Sequence, residues 1–186
     1  MEIRPVRPDD LRDLFEIDGT IRSAHYLHVD QSGEGLGLGW KLEERLLRSP
    51  LVLSNPLGDD LTFLLKQIVS GIDEGLALVA EHEKLPVALL LARQEPQFGA
   101  LRLAEVRVDF DFRRQGLATA LLYMAIAAGR DQKLRAVGAE IRTDNAPAAH
   151  LFAKCGFELT GIDTCRHTNH DLVKESATTF WYAKLD

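Results

Sequence analysis

Polar and apolar positions alternate from Glu2 to Arg7, a strand pattern, and Pro8-Asp9-Asp10 then marks a helix start followed by Leu11, Leu14 and Phe15 at helical spacing. Between about 19 and 74 the pattern reads as irregular or helical. It is broken by the glycine-rich run Gly33 to Gly39, with helices expected near Trp40 to Arg48 and near Asp59 to Ser70. The second of these carries Leu61, Leu64, Leu65 and Ile68 on one face. Strands dominate afterwards. Leu76 to His82 and Pro86 to Arg93 flank the short polar turn Glu83-Lys84 and predict a hairpin, and Leu101 to Val108 alternates again. Leu117, Leu121, Met124 and Ala128 form a helical stripe that Gly129 is placed to end. Arg135 to Arg142 predicts a strand and Ala146 to Lys154 a short helix. After the turn Cys155-Gly156-Phe157, two strands are expected near Phe157 to Thr164 and Thr178 to Leu185. No repeat, low-complexity tract or linker divides the chain, so residues 1–186 are expected to form one domain of mixed α and β structure.

Composition narrows the classes. A chain of 186 residues is long enough to bury a core without disulfide or metal staples, and two cysteines make no disulfide framework. The start Met1 to Pro5 lacks the basic-then-apolar pattern of a secretory signal, and the richest apolar run, Pro86 to Ala92, is only strand-sized. A cytoplasmic setting without membrane association is therefore the expectation. The formal charge of −6 argues against a nonspecific nucleic-acid binder and agrees with a cationic substrate.

The candidate chemistry sits where the strand ending at Val108 turns through Arg113-Arg114-Gln115-Gly116-Leu117-Ala118 into a helix. A helix N-terminus offers unpaired amides and the positive end of the helix dipole, a site for an anion. Gly116 lets backbone approach such a ligand closely, the small Ala118 keeps the way clear, and Arg113 and Arg114 can add charge-assisted contacts. Taken alone, the hexapeptide reads more readily as a basic turn capping a helix. A second stretch follows downstream, Asn145-Ala146-Pro147-Ala148-Ala149-His150-Leu151-Phe152-Ala153-Lys154-Cys155-Gly156-Phe157.

Together, Arg113-x-x-Gly116-x-Ala118 after its strand and Asn145 through Phe157 resemble the two conserved stretches of GNAT N-acetyltransferases, at the separation that family shows. The resemblance covers residues from about 74 to 186, suits 1 to 17, and matches nothing recognisable from 18 to 73. It implies an α/β (α+β) three-layer fold: a twisted, mostly antiparallel mixed sheet with helices on both faces, splayed between two central cofactor-binding strands. It also implies acetyl-CoA as acyl donor. The pantetheine arm would pair with backbone at Val106 and Val108, the pyrophosphate would lie on the amides of Gln115, Gly116, Leu117, Ala118 and Thr119, and Asn145 would stand near the far side of the cofactor. Dimers are common in that family, so a homodimer is the assembly the resemblance allows, although no segment specifies an interface. Lys154 to Phe157, Gly161, Asp163 and Phe180-Trp181-Tyr182 further resemble the ending of streptothricin acetyltransferases, which act on a basic antibiotic.

An alkylammonium with a pKa near ~10 must lose a proton before it attacks a thioester. Glu105, on the strand leading into the motif and facing opposite to Val106, is the candidate base, directly or through a water; the competing reading is a solvent-facing carboxylate. A backbone amide near Val106 to Val108 would serve the oxyanion. Where the family usually has a proton-donating tyrosine, this chain has Phe152. Another residue, water, or unassisted departure of the thiolate remain open. Tyr182 and Tyr123 are substitutes, each of which also reads as a packing residue.

Other features lead elsewhere. Gly33 to Gly39 fits neither dinucleotide nor P-loop spacing and suggests a loop near a substrate entrance. Cys165-x-His167-x-x-His170 and His25-x-x-His28 lack complete zinc-ligand spacing, so no metal is expected, and His150 reads as structural. The sequence therefore leads to acetyl transfer onto a primary amine of a small cationic molecule. A peptide or protein amine is the alternative acceptor, and a non-catalytic acyl-CoA-binding module the alternative class. A phosphate-binding regulator survives only if the second stretch is accidental.

Overall fold

The computed structural model describes residues 1–185. Contacts divide the chain into two compact units. One comprises Met1–Thr20, Ser54–Ala139 and the stretch from Tyr182, and the other Ile21–Leu53 and Glu140–Trp181.

The first unit holds β1 (Glu2–Pro5), a 3-10 helix (Pro8–Glu16), α1 (Asp59–Val69), β4 (Gly75–His82), β5 (Leu85–Glu95), β6 (Ala100–Val108) and α2 (Leu117–Asp131). It also holds the start of β7 (Ala136–Arg142) and the end of β9 (Thr178–Lys184). Its strand order is β1-β4-β5-β6-β7, antiparallel throughout except for the parallel pair β6–β7. Alternation divides the faces of this sheet. Ala77, Val79, Leu89 and Leu91 meet Val6, Leu14, Ile17, Leu57 and Leu65 of the 3-10 helix, α1 and their flanks, while α2 packs on β4, β5 and β6 with Leu121, Leu122 and Ala125 fully buried. The β4–β5 turn closes with Glu83 (φ 50°) and Lys84 (φ 69°) both left-handed, the geometry that matches the twist of paired strands.

The second unit holds the hairpin of β2 (Ile21–Ser32) and β3 (Gly39–Leu53), the end of β7, α3 (Ala146–Lys154), β8 (Glu158–Asp163) and the start of β9. Here the order is β7-β9-β8, with β2–β3 as a separate antiparallel pair running from Ile21↔Leu53 to Ser32↔Gly39, its register shifting between Ser23↔Leu51 and His25↔Leu46. Thr143 fixes the local framework. Its carbonyl accepts from the Leu27 amide (2.8 Å), its amide donates to Ala177 (2.8 Å), and its hydroxyl donates to the Glu175 carbonyl (2.9 Å).

The expected α/β class, a mostly antiparallel sheet flanked by helices, is what forms. Among the described residues no helix is long and apolar enough to cross a membrane. Three local expectations are corrected. The helix expected near Trp40 to Arg48 is part of β3, and the irregular stretch after residue 19 contains β2, with Gly33 to Gly39 closing their hairpin through a 3-10 turn at Gly35–Gly37. The first helix is 3-10 rather than α, and it buries Leu14 while leaving Phe15 exposed. Finally, α2 runs past Gly129 to Asp131. Gly129 is there for close packing, because a Cβ would stand 2.7 Å from Leu185 Cδ1 and 3.2 Å from Val137 Cγ2. The buried stripe of α2 is accordingly Leu117, Leu121, Leu122 and Ala125, with Met124 exposed.

Candidate functional site

Strand β6 carries the site, and an irregularity shapes it. Ala92 pairs with Leu103 but Leu91 pairs with Glu105, which leaves Ala104 as an extra residue. Such a bulge reverses the alternation of everything beyond it. Leu103 therefore shares a face with Ala92, whereas Glu105 and Arg107 share the face of Leu91 and Leu89; Val106 and Val108 point the other way, with Leu90 and Ala88. Pairing with β7 runs only from Ala100↔Ala136 to Leu103↔Ala139, and β6 then continues to Val108 paired to β5.

Beyond Val108 the chain makes a 3-10 turn, Phe110–Phe112, that Asp109 caps by accepting from the Asp111 amide (3.1 Å). The other Asp109 oxygen accepts from the Asp18 amide (2.9 Å). Arg113 then spends its side chain on main chain. Nε donates to the Val108 carbonyl (2.9 Å), Nη1 to Thr20 (2.7 Å) and Nη2 to Asp18 (2.9 Å). What Arg113 offers an anion is thus its place in the turn rather than its guanidinium. Arg114 is exposed with φ 63°, and Gly116, the N-cap of α2, has φ 84°. A Cβ on Gly116 would meet nothing within 4 Å, and no side chain caps the helix. The first amides of α2, at Leu117, Ala118 and Thr119, lack intrahelical acceptors and stand behind an exposed, bare Gly116 flanked by exposed Gln115. That is the build of an anion cradle.

Glu105 is half-buried, and its Oε2 lies 3.4 Å from Nη2 of Arg107. The Arg107 side chain is 1 % exposed, and none of its three guanidinium nitrogens makes a hydrogen bond. Sequence reasoning passed over Arg107, because the bulge that turns it inward leaves no mark on the local pattern.

Two of the other expected residues belong to the first unit. The Tyr182 hydroxyl accepts from Arg102 Nη2 (2.8 Å), and its ring lies against Gly138, where a Cβ would come within 2.8 Å of Cε1. Arg102 and Arg135 both stand over that ring, at 5.3 and 5.9 Å. Tyr123 is exposed on α2. In the second unit, Asn145 caps α3, its side-chain oxygen accepting from the Ala148 amide (3.3 Å), and Phe152 is buried with its ring 4.8 Å from that of Phe157.

The second unit also holds a polar cluster that the sequence did not announce. Buried Tyr26 shares hydrogen bonding with Glu175 and Arg45, and the Glu175 bond, aided by burial, raises the tyrosine above its ordinary value of 10. His28 Nδ1 is 3.6 Å from Glu175 Oε1, and Glu44 receives His150 Nε2 at 2.9 Å. His167 and His170 sit on a loop organised by buried Asp171, which accepts from the His167 and Thr168 amides and is held below the usual carboxylate range chiefly by the His167 bond. Among the described residues no three metal-ligating side chains gather.

Residues 52–157 match the model of the Acetyltransferase (GNAT) family. Streptothricin acetyltransferase of Escherichia coli is 31 % identical over 80 residues, 43 % of this chain and 46 % of that one. The chain spans about half the length of the curated relatives it matches. In fold it resembles the crystal structure of nourseothricin acetyltransferase, at TM-score 0.79 and 21 % identity over 100 % of this chain and 98 % of that one. It also resembles a Bacillus anthracis protein solved in complex with acetyl coenzyme A, at TM-score 0.79, 18 % identity and the same coverage.

Proposed function

The chain belongs to the acetyltransferase (GNAT) family, and from that premise we propose that it transfers an acetyl group from acetyl-CoA to a primary amine of a small cationic molecule. The observation that carries this reading is the uncapped start of α2 behind bare Gly116, placed at the end of a strand whose pairing to β7 has already stopped. The amides from Gln115 to Thr119 would hold the pyrophosphate, and the main chain of Val106 and Val108 would pair with the pantetheine arm. The likeness to a B. anthracis protein solved in complex with acetyl coenzyme A supports acetyl-CoA as the donor. The family match runs through residues of both compact units, which supports reading the chain as one acetyltransferase domain. Asn145 is carried over from the family pattern, its side chain serving as the cap of α3.

When bound, acetyl-CoA supplies an activated thioester. The chain must then free an amine lone pair and accommodate the oxyanion. Glu105, half-buried on β6 on the face opposite Val106, takes the ammonium proton directly or through a water, and a β6 amide near Val106 to Val108 donates to the oxyanion. Phe152, packed against Phe157, has no proton to give. A thiol titrates near ~8.5, so departure of its thiolate asks less of a general acid than departure of an alkoxide would. The charge of −6 and the likeness to streptothricin acetyltransferase support a cationic acceptor.

The test is amine-dependent release of free thiol from acetyl-CoA against a panel of polyamines, aminoglycosides, streptothricin and peptide amines. Turnover of a small cationic amine is the expected result. Acetyl-CoA binding without turnover of any amine would make the protein a binding module, and absence of binding by folded protein would overturn the reading altogether.

A further inference from the structure

Arg107 is a charge at a position where the fold would accept an apolar residue. Its side chain is 1 % exposed on the β6 face that Glu105 shares, and it pairs with Leu89 as Glu105 does with Leu91. Both leucines are fully buried in the cluster that holds Val6, Leu14, Ile17, Leu57 and Leu65. None of the guanidinium nitrogens makes a hydrogen bond, and the ion pair with Glu105 spans 3.4 Å. The cost of desolvating such a pair offsets much of its attraction, and well-packed apolar residues in its place are often neutral or stabilising. Stability alone therefore does not account for it.

The guanidinium is also held in place. The Gly19 backbone packs on it so closely that a Cβ there would stand 3.2 Å from Nη1, 3.3 Å from Cζ and 2.8 Å from the Asn55 carbonyl oxygen. That segment is itself fixed, because Arg113 holds the carbonyls of Asp18 and Thr20, and Asp109 accepts from the Asp18 amide. Glu105 keeps 12 % of its side chain exposed, so of the two charges it is the carboxylate that reaches solvent.

We propose that Arg107 is a positioning residue for acetyl transfer, a caged counter-charge that fixes the Glu105 carboxylate in the orientation from which it takes the ammonium proton. This inference rests on the reading of Glu105 as the base. Oε2 faces Nη2 of Arg107, which leaves Oε1 to the ammonium or to the relaying water. A glutamate without such a neighbour samples several rotamers, and a displacement of about 1 Å at a reacting group can cost roughly 10²-fold in rate. As Glu105 takes the proton, the amine lone pair forms the N–C bond and the C–S bond of the thioester breaks to release the thiolate. Arg107 lies too deep to touch the substrate and acts through Glu105.

The test is a double-mutant cycle on the full chain: wild type, Arg107→Met, Glu105→Gln and the double variant. Acetyl-CoA is the donor, and spermidine, kanamycin and streptothricin are the acceptors. For each variant kcat and KM are measured, with acetyl-CoA affinity by calorimetry and Tm by thermal denaturation. Arg107→Met is expected to lower kcat by about 10–100-fold while acetyl-CoA affinity stays within about threefold of wild type. Once Glu105 is replaced by Gln, the same change is expected to lower kcat by no more than about threefold. Should Arg107→Met not fold, Arg107→Lys keeps the charge but loses the fork, and is expected to lower kcat by a smaller factor, again only when Glu105 is present. An Arg107 effect of equal size in both backgrounds marks a structural role and overturns the proposal. Wild-type kcat in the Arg107 variants, with Glu105→Gln impaired, overturns it as well and leaves Glu105 standing as the base. An unchanged rate for Glu105→Gln, or turnover of no acceptor, strikes the underlying reading and the proposal with it.

Discussion

Nη1 of Arg113 donates to the carbonyl oxygen of Thr20 across 2.7 Å, and the same guanidinium holds Asp18 and Val108. The arginine that reads in sequence as a phosphate ligand is a clamp between the end of β6 and the segment after the first 3-10 helix. Arg113→Met should cost about 2 kcal/mol, since it removes the donor from the part-buried carbonyls of Val108 and Thr20. For a chain of this length that is a Tm drop of roughly 4–8 °C. Lysine at this position should recover little, because one ammonium cannot span three acceptors. Thermal denaturation checks both variants.

Gly116 has open space where its Cβ would be, so substitution there acts on the ligand more than on the fold. Gly116→Glu puts bulk and negative charge in front of the α2 amides and is expected to abolish acetyl-CoA binding by calorimetry while the protein remains folded. Gly116→Ala is the control. At φ 84° it carries backbone strain of about 1–2 kcal/mol, yet it should retain measurable binding.

Glu105→Gln keeps the shape of the side chain and removes the base. A fall in kcat of roughly 10²–10⁴-fold is expected, with acetyl-CoA affinity retained. An unchanged rate would remove Glu105 from the chemistry.

Asp10 receives Arg4 at 2.7 and 2.8 Å, and Arg4 also grips Glu81 at 2.6 and 3.0 Å. The guanidinium holds the Asp10 carboxyl below its ordinary 3.8. A carboxylate whose folded value is depressed stabilises the protein fully above its unfolded value, and that contribution is lost as pH falls from there through the folded value. Asp10→Asn should therefore lose about 1.5–3 kcal/mol at neutral pH, the worth of charged hydrogen bonds. The gap to wild type should close only below pH 3.8. Denaturant midpoints across that range give the curve.

Tyr26 stays protonated above its ordinary value because its hydroxyl donates a hydrogen bond to Glu175 in a buried setting. In an alkaline titration of tyrosinate absorbance, Tyr26→Phe should remove a component that titrates above pH 10, and should lower stability by about 1 kcal/mol.

The elements that could be read from sequence are those whose neighbours are local or whose pattern is periodic. The strands β4 to β9 show alternation or continuous apolar runs, α3 begins at Asn145 and ends before Gly156 as its caps dictate, and Glu83-Lys84 marks a turn between two apolar strands. The turn at Gly116 was legible for the same reason, since a strand end, a bare glycine and a helix start are consecutive.

What remained hidden was decided by partners far along the chain. β3 contains Lys41-Leu42-Glu43-Glu44-Arg45-Leu46-Leu47, which has helix-forming composition, and most of the hairpin is exposed on both faces, so no period of two betrays it; pairing with β2 makes it a strand. The clamp by Arg113 depends on carbonyls at positions 18 and 20, more than ninety residues earlier. The inward turn of Arg107 depends on a bulge defined against Leu91 and Ala92 of the neighbouring strand. Sequence alone determined the periodic elements and the strand–glycine–helix turn, because each is written in consecutive residues. Tertiary structure decided which cations are spent on main chain and which is buried beside a carboxylate, because hydrogen-bond satisfaction is settled only when distant segments meet.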